Sequence, residues 1–480
     1  MTPARILGLL ALTALVGACD DETLMPPTAA SNDLFARYVA FGNSITAGIQ
    51  SGGINATTQN ESYAVLLAES MGTTFNVPLL LDPGCPPPYA NIFTQVRIAD
   101  IPNNCAFRDP ETPEYINNVA FPGADILEGL TNDTLPALSS TDAFKTLLLG
   151  GMTELEAAAR VAPTFVTVWL GNNDALGAVL DVGNAGDPSL VTDTTVFRRR
   201  YERFMTALDD MGSIQGGVLI GVVQVAAAPY LTQGRVWKGF ELGFDAQAQA
   251  NFDNAFQSTV DGLITAMILP DIPTTRNATL TTLGISANFF DVAINCLDSL
   301  PLPGGTFARA SVPFHMGGPM LSAAGALPLD SATQTNLVAF GVDSLVRILN
   351  PAASAPDLAD LPTPIMMDCS VPDAVTALEV ANLFSAVTQF NAAIKAEADA
   401  REDYIFLDPN DLLVQLSADT SAIRPFPAFP GTAAASATTD TPFGSAISLD
   451  GIHPSASTHV LVLTALIQAI NAAFDVTLTP

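Results

Sequence analysis

The chain has 480 residues, 49% hydrophobic and only 14% charged, against roughly 25% charged in ordinary soluble domains, so a disordered polar chain is excluded. Eighteen basic residues face forty-eight acidic ones, a formal net charge of -30, and the only lysines are Lys145, Lys238 and Lys395. A phosphate-binding surface needs clustered Lys and Arg, which makes nucleic acid a very poor partner, and five cysteines with three histidines exclude zinc-finger arrays.

Arg5 and the amino terminus give a short positive start. Ile6 to Ala18 is an uncharged, mostly apolar run, too short to span a bilayer comfortably. It ends in Leu15-Val16-Gly17-Ala18-Cys19, which resembles a bacterial lipobox. The resemblance implies a lipoprotein signal peptide over 1–18, cleavage before Cys19 and diacylation of its thiol. The exported protein is then lipid-anchored to a bacterial membrane, at the cell surface or the periplasmic face. An ordinary signal peptide cleaved near Ala18 is the alternative. Residues 19–33 contain Pro, Thr and Ser with no apolar period and read as a flexible tether. No later uncharged apolar run reaches the length expected of a spanning helix.

Export implies an oxidising compartment. With Cys19 lipidated, Cys85, Cys105, Cys296 and Cys369 remain, and four cysteines allow three pairings. The local pairs Cys85–Cys105 and Cys296–Cys369 are preferred, with free buried thiols as the alternative.

From residue 34 onward a short apolar strand, a loop and a helix recur. Tyr38–Phe41 is strand-like and runs into Gly42; Phe165–Leu170 is β-branched and aromatic and stops at Gly171; Gly217–Val225 carries a continuous apolar pattern; Tyr404–Leu407 follows a helical stretch marked by Phe384, Val387, Phe390 and Ile394. Continuous apolar strands between helices predict a parallel sheet covered on both faces, an α/β fold. A last helix is expected over His459–Phe474, with Thr464, Gln468 and Asn471 as a narrow polar stripe and the rest packed on the sheet. Pro-, Gly- and Thr-rich stretches at 82–114, 268–333, 350–373 and 420–446 read as insertions, chiefly around 82–114 and 230–380, in one domain over 34–480. A second domain from about 230–380 is the alternative.

Open parallel sheets bind ligands beyond the carboxyl ends of their strands. The residues found there are Gly42-Asn43-Ser44-Ile45, then Pro122-Gly123 after a segment Ile116–Phe121, then Gly171-Asn172-Asn173-Asp174, and finally Asp450-Gly451-Ile452-His453 before the last helix. A hydroxyl, a glycine amide, a carboxamide and an Asp/His pair on one rim are the components of serine-based acyl transfer. Taken alone, Ser44 reads as a cap or turn serine, Asn173 as a turn residue and Asp450-Gly451 as a turn. Among three histidines, His459 belongs to the start of the last helix, and His315 lies inside an insertion. A metal reading of Asp450, His453 and His459 lacks a further histidine nearby and the zinc-hydrolase helix motif.

The four segments, in this order, resemble the blocks of the SGNH/GDSL hydrolase family, with Asn118–Gly123 as the Gly block. The resemblance implies a three-layer α/β/α sandwich with a central parallel sheet, flavodoxin-like in outline and enlarged by loop insertions. It implies an esterase or lipase that cleaves carboxylic esters through an acyl-serine intermediate and uses no cofactor or metal. Ser44 is then the nucleophile, His453 the general base and acid, and Asp450 the residue that orients the imidazole. The Ser44 and Gly123 amides and the Asn173 side chain form the oxyanion hole. Asn43 stands where the family's first block carries Asp, which leaves the local loop geometry open. The substrate is a small-molecule, lipid or glycan ester. A carbohydrate O-acetylesterase or an acyltransferase uses the same site, and a non-catalytic surface binding lipoprotein keeps the fold without turnover.

Overall fold

The computed structural model describes residues 30, 32–92, 96–101, 107–131, 140–181, 184–234, 294–313, 369, 372, 374–424 and 441–480. The signal peptide, Cys19, nearly all of the tether, Cys105 and His315 lie outside the described residues. The main elements run β1 (Tyr38–Gly42), α1 (Ser44–Ala47), α2 (Tyr63–Met71), α3 (Glu154–Val161), β2 (Phe165–Trp169), α4 (Asn173–Leu180), α5 (Thr194–Asp210), β3 (Gly216–Ile220), α6 (Ala377–Asp399), β4 (Tyr404–Leu407), α7 (Asn410–Ser417) and α8 (Ala456–Phe474).

The four strands form one parallel sheet in the order β1-β2-β3-β4. Side chains alternate across it, as the period of two requires. Val39, Phe41, Val166, Val168 and Leu219 join one core with α3, α5 and α6; Tyr38, Ala40, Phe165, Val218 and Ile220 join another with α2 and α8. Helices therefore cover both faces, which is why the strands carry no polar alternation. α5 shows how sequence selects a helix. Asp193 caps the Thr195 and Val196 amides, and Phe197, Tyr201, Phe204 and Leu208 fall on one buried stripe, each worth about 1.5–3 kcal/mol once buried.

The segment Ile116–Phe121 touches β1 through a single parallel bridge, Asn118 to Ala40. Its asparagines replace a longer ladder: the Asn117 side chain donates to the Tyr38 carbonyl at 2.8 Å and that of Asn118 to the Thr46 carbonyl at 2.9 Å.

α8 departs from expectation in two ways. Val462, Leu463, Leu466, Ile467 and Ile470 pack on the sheet, but Val460 and Leu461 are 46% and 40% exposed, so its apolar surface is not wholly covered. Among the described residues it is also the one helix long and apolar enough, by length and composition, to cross a membrane, contrary to the expectation of none. Its buried side chains share one core with β1, β2 and β3 residues.

Of the span 230–380, Leu231–Gln233 pairs with Ser311–Pro313, and Ser311 bridges Val375 at the start of α6. Ser299–Pro301 and Phe307–Arg309 form a hairpin. Cys296 and Cys369 form the expected disulfide. Cys85 is also disulfide-bonded.

The Cys296–Cys369 bond closes a loop with a sequence separation of 73. In the chain-entropy account such a loop contributes up to about 4 kcal/mol. Replacing both cysteines by alanine should lower the denaturant midpoint markedly. An unchanged midpoint would mean that the bond does not constrain the unfolded chain.

Candidate active site

β1 ends at Gly42 and the chain turns straight into α1, whose first residue is Ser44. The turn admits no side chain at Gly42: a Cβ there would stand 2.2 Å from Thr46 Oγ1. The Gly42 amide donates to Glu154 Oε2 at 3.2 Å. Glu154 is wholly buried at the start of α3, and burial pushes its carboxyl well above the usual carboxylate range. Asn43 accepts from the Ile45 amide through Oδ1 at 3.2 Å and donates through Nδ2 to the Trp169 carbonyl, at the end of β2, at 3.3 Å. A carboxylate could make only the first of these bonds. The amide of Asn43 therefore suits this turn better than a carboxylate would. α1 is also latched from outside: Thr46 Oγ1 lies 2.9 Å from the Tyr63 hydroxyl, and the Thr46 carbonyl accepts from Ser62 Oγ at 2.8 Å.

The loop before α8 brings an imidazole to this turn. His453 Nε2 stands 2.9 Å from Ser44 Oγ, and its Nδ1 stands 2.8 Å from Asp450 Oδ2. Asp450 Oδ1 accepts from the Ile452 and His453 amides at 2.9 and 2.8 Å and from Ser448 Oγ at 3.2 Å. Burial alone would raise the Asp450 carboxyl, but the charge of His453 and the hydrogen bonds from His453 and Ile452 outweigh it and hold the pKa at about 2.

A second loop, invisible to the motif reading, completes the cradle. The Gly52 amide donates to Asp450 Oδ2 at 2.6 Å, the Ser51 amide to Ser448 Oγ at 2.9 Å, and the Leu449 amide to Ser51 Oγ at 3.2 Å. Gly52 has φ of +62° and a Cβ there would meet the Tyr89 ring at 2.7 Å, so the position requires glycine twice over. Arg97 donates to the Gly52 and Pro87 carbonyls at 2.8 and 2.5 Å and lies 3.9 Å over the Tyr89 ring. The one sequence signal for this loop is the turn-forming Ser51-Gly52-Gly53 run.

Asn173 lies beside Ser44 on the wall of a shared cavity, and its Nδ2 donates to the Ala124 carbonyl at 2.8 Å. One N–H of that carboxamide is thus committed to holding the 122–124 turn, and the other has no acceptor among the described residues. Gly123, with φ of +87°, is the neighbour of Ala124 but not itself part of the cavity wall. The Ser44 and Gly123 amides have no acceptor among the described residues. Asp174, next in the same segment, is buried and structural: it accepts from the Ile126 amide at 3.0 Å, and burial with the nearby Asp125 raises its pKa to about 7.

The cavity is about 840 Å³, its open mouth included, and reaches from Ser44 and His453 past α7 to Ile423 and Ile447. Among the described residues no group of three or more His, Cys, Asp or Glu is arranged to hold a metal ion. No family model matches the chain, and no curated protein matches it.

His459 sits one helical turn beyond this loop, fully buried, with Nδ1 accepting the Tyr63 amide at 3.2 Å and its ring stacked on Tyr63. It thus braces α2, which in turn braces α1. Burial first, and the charge of His453 second, push its pKa down to about 3. The folded state keeps this imidazole neutral, while the unfolded chain takes up a proton below about pH 6.5. Its contribution to stability is therefore complete above about pH 6.5 and is lost as pH falls toward 3. His459→Gln keeps an acceptor but cannot titrate. Denaturant unfolding should show that variant losing less stability than the wild type between pH 6.5 and 3; parallel pH curves would refute this.

Proposed function

We propose that the chain is a serine carboxylic-ester hydrolase of the SGNH/GDSL type, built as a three-layer α/β/α sandwich. The sheet order supports this fold. With the 117–119 bridge placed beside β1, the segments run 2-1-3-4-5 in chain order, the flavodoxin-like arrangement. Ligands of such sheets bind where the order reverses, between β1 and β2 here, and Ser44 and Asn173 stand at those two strand ends.

The observation that carries the reading is the continuous chain from Ser44 Oγ through His453 to Asp450. A serine hydroxyl is a poor nucleophile until a base takes its proton. Asp450, ionised over the whole working pH range, accepts a hydrogen bond from His453 Nδ1–H, which keeps the proton on that nitrogen and leaves Nε2 unprotonated toward Ser44. Ser44 Oγ attacks the ester carbonyl carbon as its proton passes to Nε2. The resulting oxyanion is received by the Ser44 and Gly123 amides and the remaining Asn173 N–H. Collapse expels the alkoxide, which takes the proton from Nε2 and leaves as the alcohol. Water then attacks the acyl-serine, with Nε2 taking its proton and returning it to Ser44 as the acid departs. Each oxyanion donor is worth about 2.7–4 kcal/mol of barrier.

Export and anchoring through Cys19 belong to the same proposal and rest on the Leu15–Cys19 sequence. An esterase held at a membrane by acyl chains meets substrates at the cell boundary.

Ser44→Ala should abolish ester turnover while leaving the unfolding midpoint within error, and Asp450→Asn should lower kcat by about 10⁴-fold, the effect of losing the correct imidazole tautomer. Steady-state kinetics on p-nitrophenyl acetate provides the check. Full activity in Ser44→Ala would overturn the mechanism.

A further inference from the structure

The cavity wall is divided by chemistry. Its polar residues are Asn43, Ser44, Asn172, Asn173, His453 and Thr458, the reacting end and its immediate surroundings; every other described lining residue is apolar. No Lys, Arg, Asp or Glu lines it among the described residues. α7 supplies three leucines to this wall, Leu412, Leu413 and Leu416, while Val414, on the other side of the same helix, is 70% exposed. No residue of α7 is buried. These leucines are half-covered: each meets the cavity and also packs on a neighbouring core, Leu412 on that of α2 and α8, Leu413 and Leu416 on the cluster of Ile423, Phe443 and Ile447.

An acetyl group offers no alkyl chain to cover the apolar wall. A sugar ring carried into the leucine wall would lose the water bound to its hydroxyls, with no polar partner there to replace it. A linear alkyl chain suits the wall, since each methylene removed from water gains about fourfold in binding. We propose that the substrate is an ester bearing a linear alkyl chain well beyond acetyl, and that Leu412, Leu413 and Leu416 of α7 set the chain length the cavity accepts. The inference rests on the reading of Ser44 as nucleophile and adds the substrate class to it. The chain belongs either to the acyl part, which stays on Ser44, or to the alcohol, which leaves.

The test uses the full chain and two monomeric ester series: p-nitrophenyl esters from acetate to decanoate, and acetates of linear alcohols from methyl to octyl. 6-O-acetylglucose, with its remaining hydroxyls free, is the polar comparison. In one series, kcat/KM should rise about fourfold per added methylene from the shortest member before levelling, and the series in which it rises identifies the side that occupies the cavity. Leu413→Trp should move the optimum to shorter chains and lower the octanoate-to-acetate, or octyl-to-methyl, ratio of kcat/KM at least tenfold. Leu416→Ala should move the optimum the other way. Denaturant midpoints of both variants should stay close to that of the wild type, since both side chains are only half-buried. A flat or falling profile in both series, or a preference for the sugar acetate, with turnover still abolished by Ser44→Ala, would overturn the chain-length proposal and leave the nucleophile standing. No turnover of any ester, acetate included, would overturn both.

Discussion

The carboxylate of Asp450 is where the two ends of the chain are joined, and the geometry of the site depends on it. It accepts from the His453 ring, the His453 and Ile452 amides, Ser448 Oγ and the Gly52 amide. A buried charge is tolerable only when it is paired and hydrogen-bonded. These donors meet that condition, and they also fix which imidazole nitrogen carries the proton. Ser448 ties to Ser51, Gly52 to Asp450, and Arg97 holds Gly52 from the far side. The Asp450 carboxylate is thus held by a loop almost four hundred residues upstream, close in sequence to Ser44.

The sheet supplies the other half of the arrangement. β1 and β2 are neighbours, so the turns after them open onto one crevice. Glu154 and Trp169 hold the Ser44 turn from below, Thr46 is held by α2, and His459 reaches from α8 to the first amide of α2. Each contact crosses between elements distant in sequence. The rigidity of the Ser44 turn therefore comes from tertiary packing, as a helix of four residues has little stability of its own.

Much of this was legible in the sequence. Continuous apolar runs mark β1 to β4 because both faces of the sheet are covered; β1, β2 and β4 match their runs to within a residue, whereas β3 ends at Ile220, five residues short of the Gly217–Val225 run, because the chain turns there into the loop above the sheet. Ser44, Asn173, Asp450 and His453 each announce themselves by turn-forming neighbours at a strand or helix end, and the structure brings these four together. Other contacts left no periodic signal. The Asn118 bridge is too short to form a strand pattern, and its side-chain bonds to Tyr38 and Thr46 carbonyls have no period. The Gly52–Asp450 contact joins two loops through backbone groups, and backbone donors carry no sequence signature. The exposed Val460 and Leu461 escape a periodicity argument because an apolar residue reads the same whether or not a neighbour covers it. The Asn43 amide reads from sequence as a turn residue before Ser44, but its bond to the Trp169 carbonyl needs the fold to be seen.

The central claim is that Ser44, and no other serine, is made nucleophilic by His453. Treating the protein with a fluorophosphonate probe and locating the modified peptide by mass spectrometry tests it most directly. A single phosphonate on Ser44, lost in His453→Ala with the protein still folded, is the predicted result. Absence of modification on Ser44 in the folded wild type, or equal modification without His453, would contradict the account.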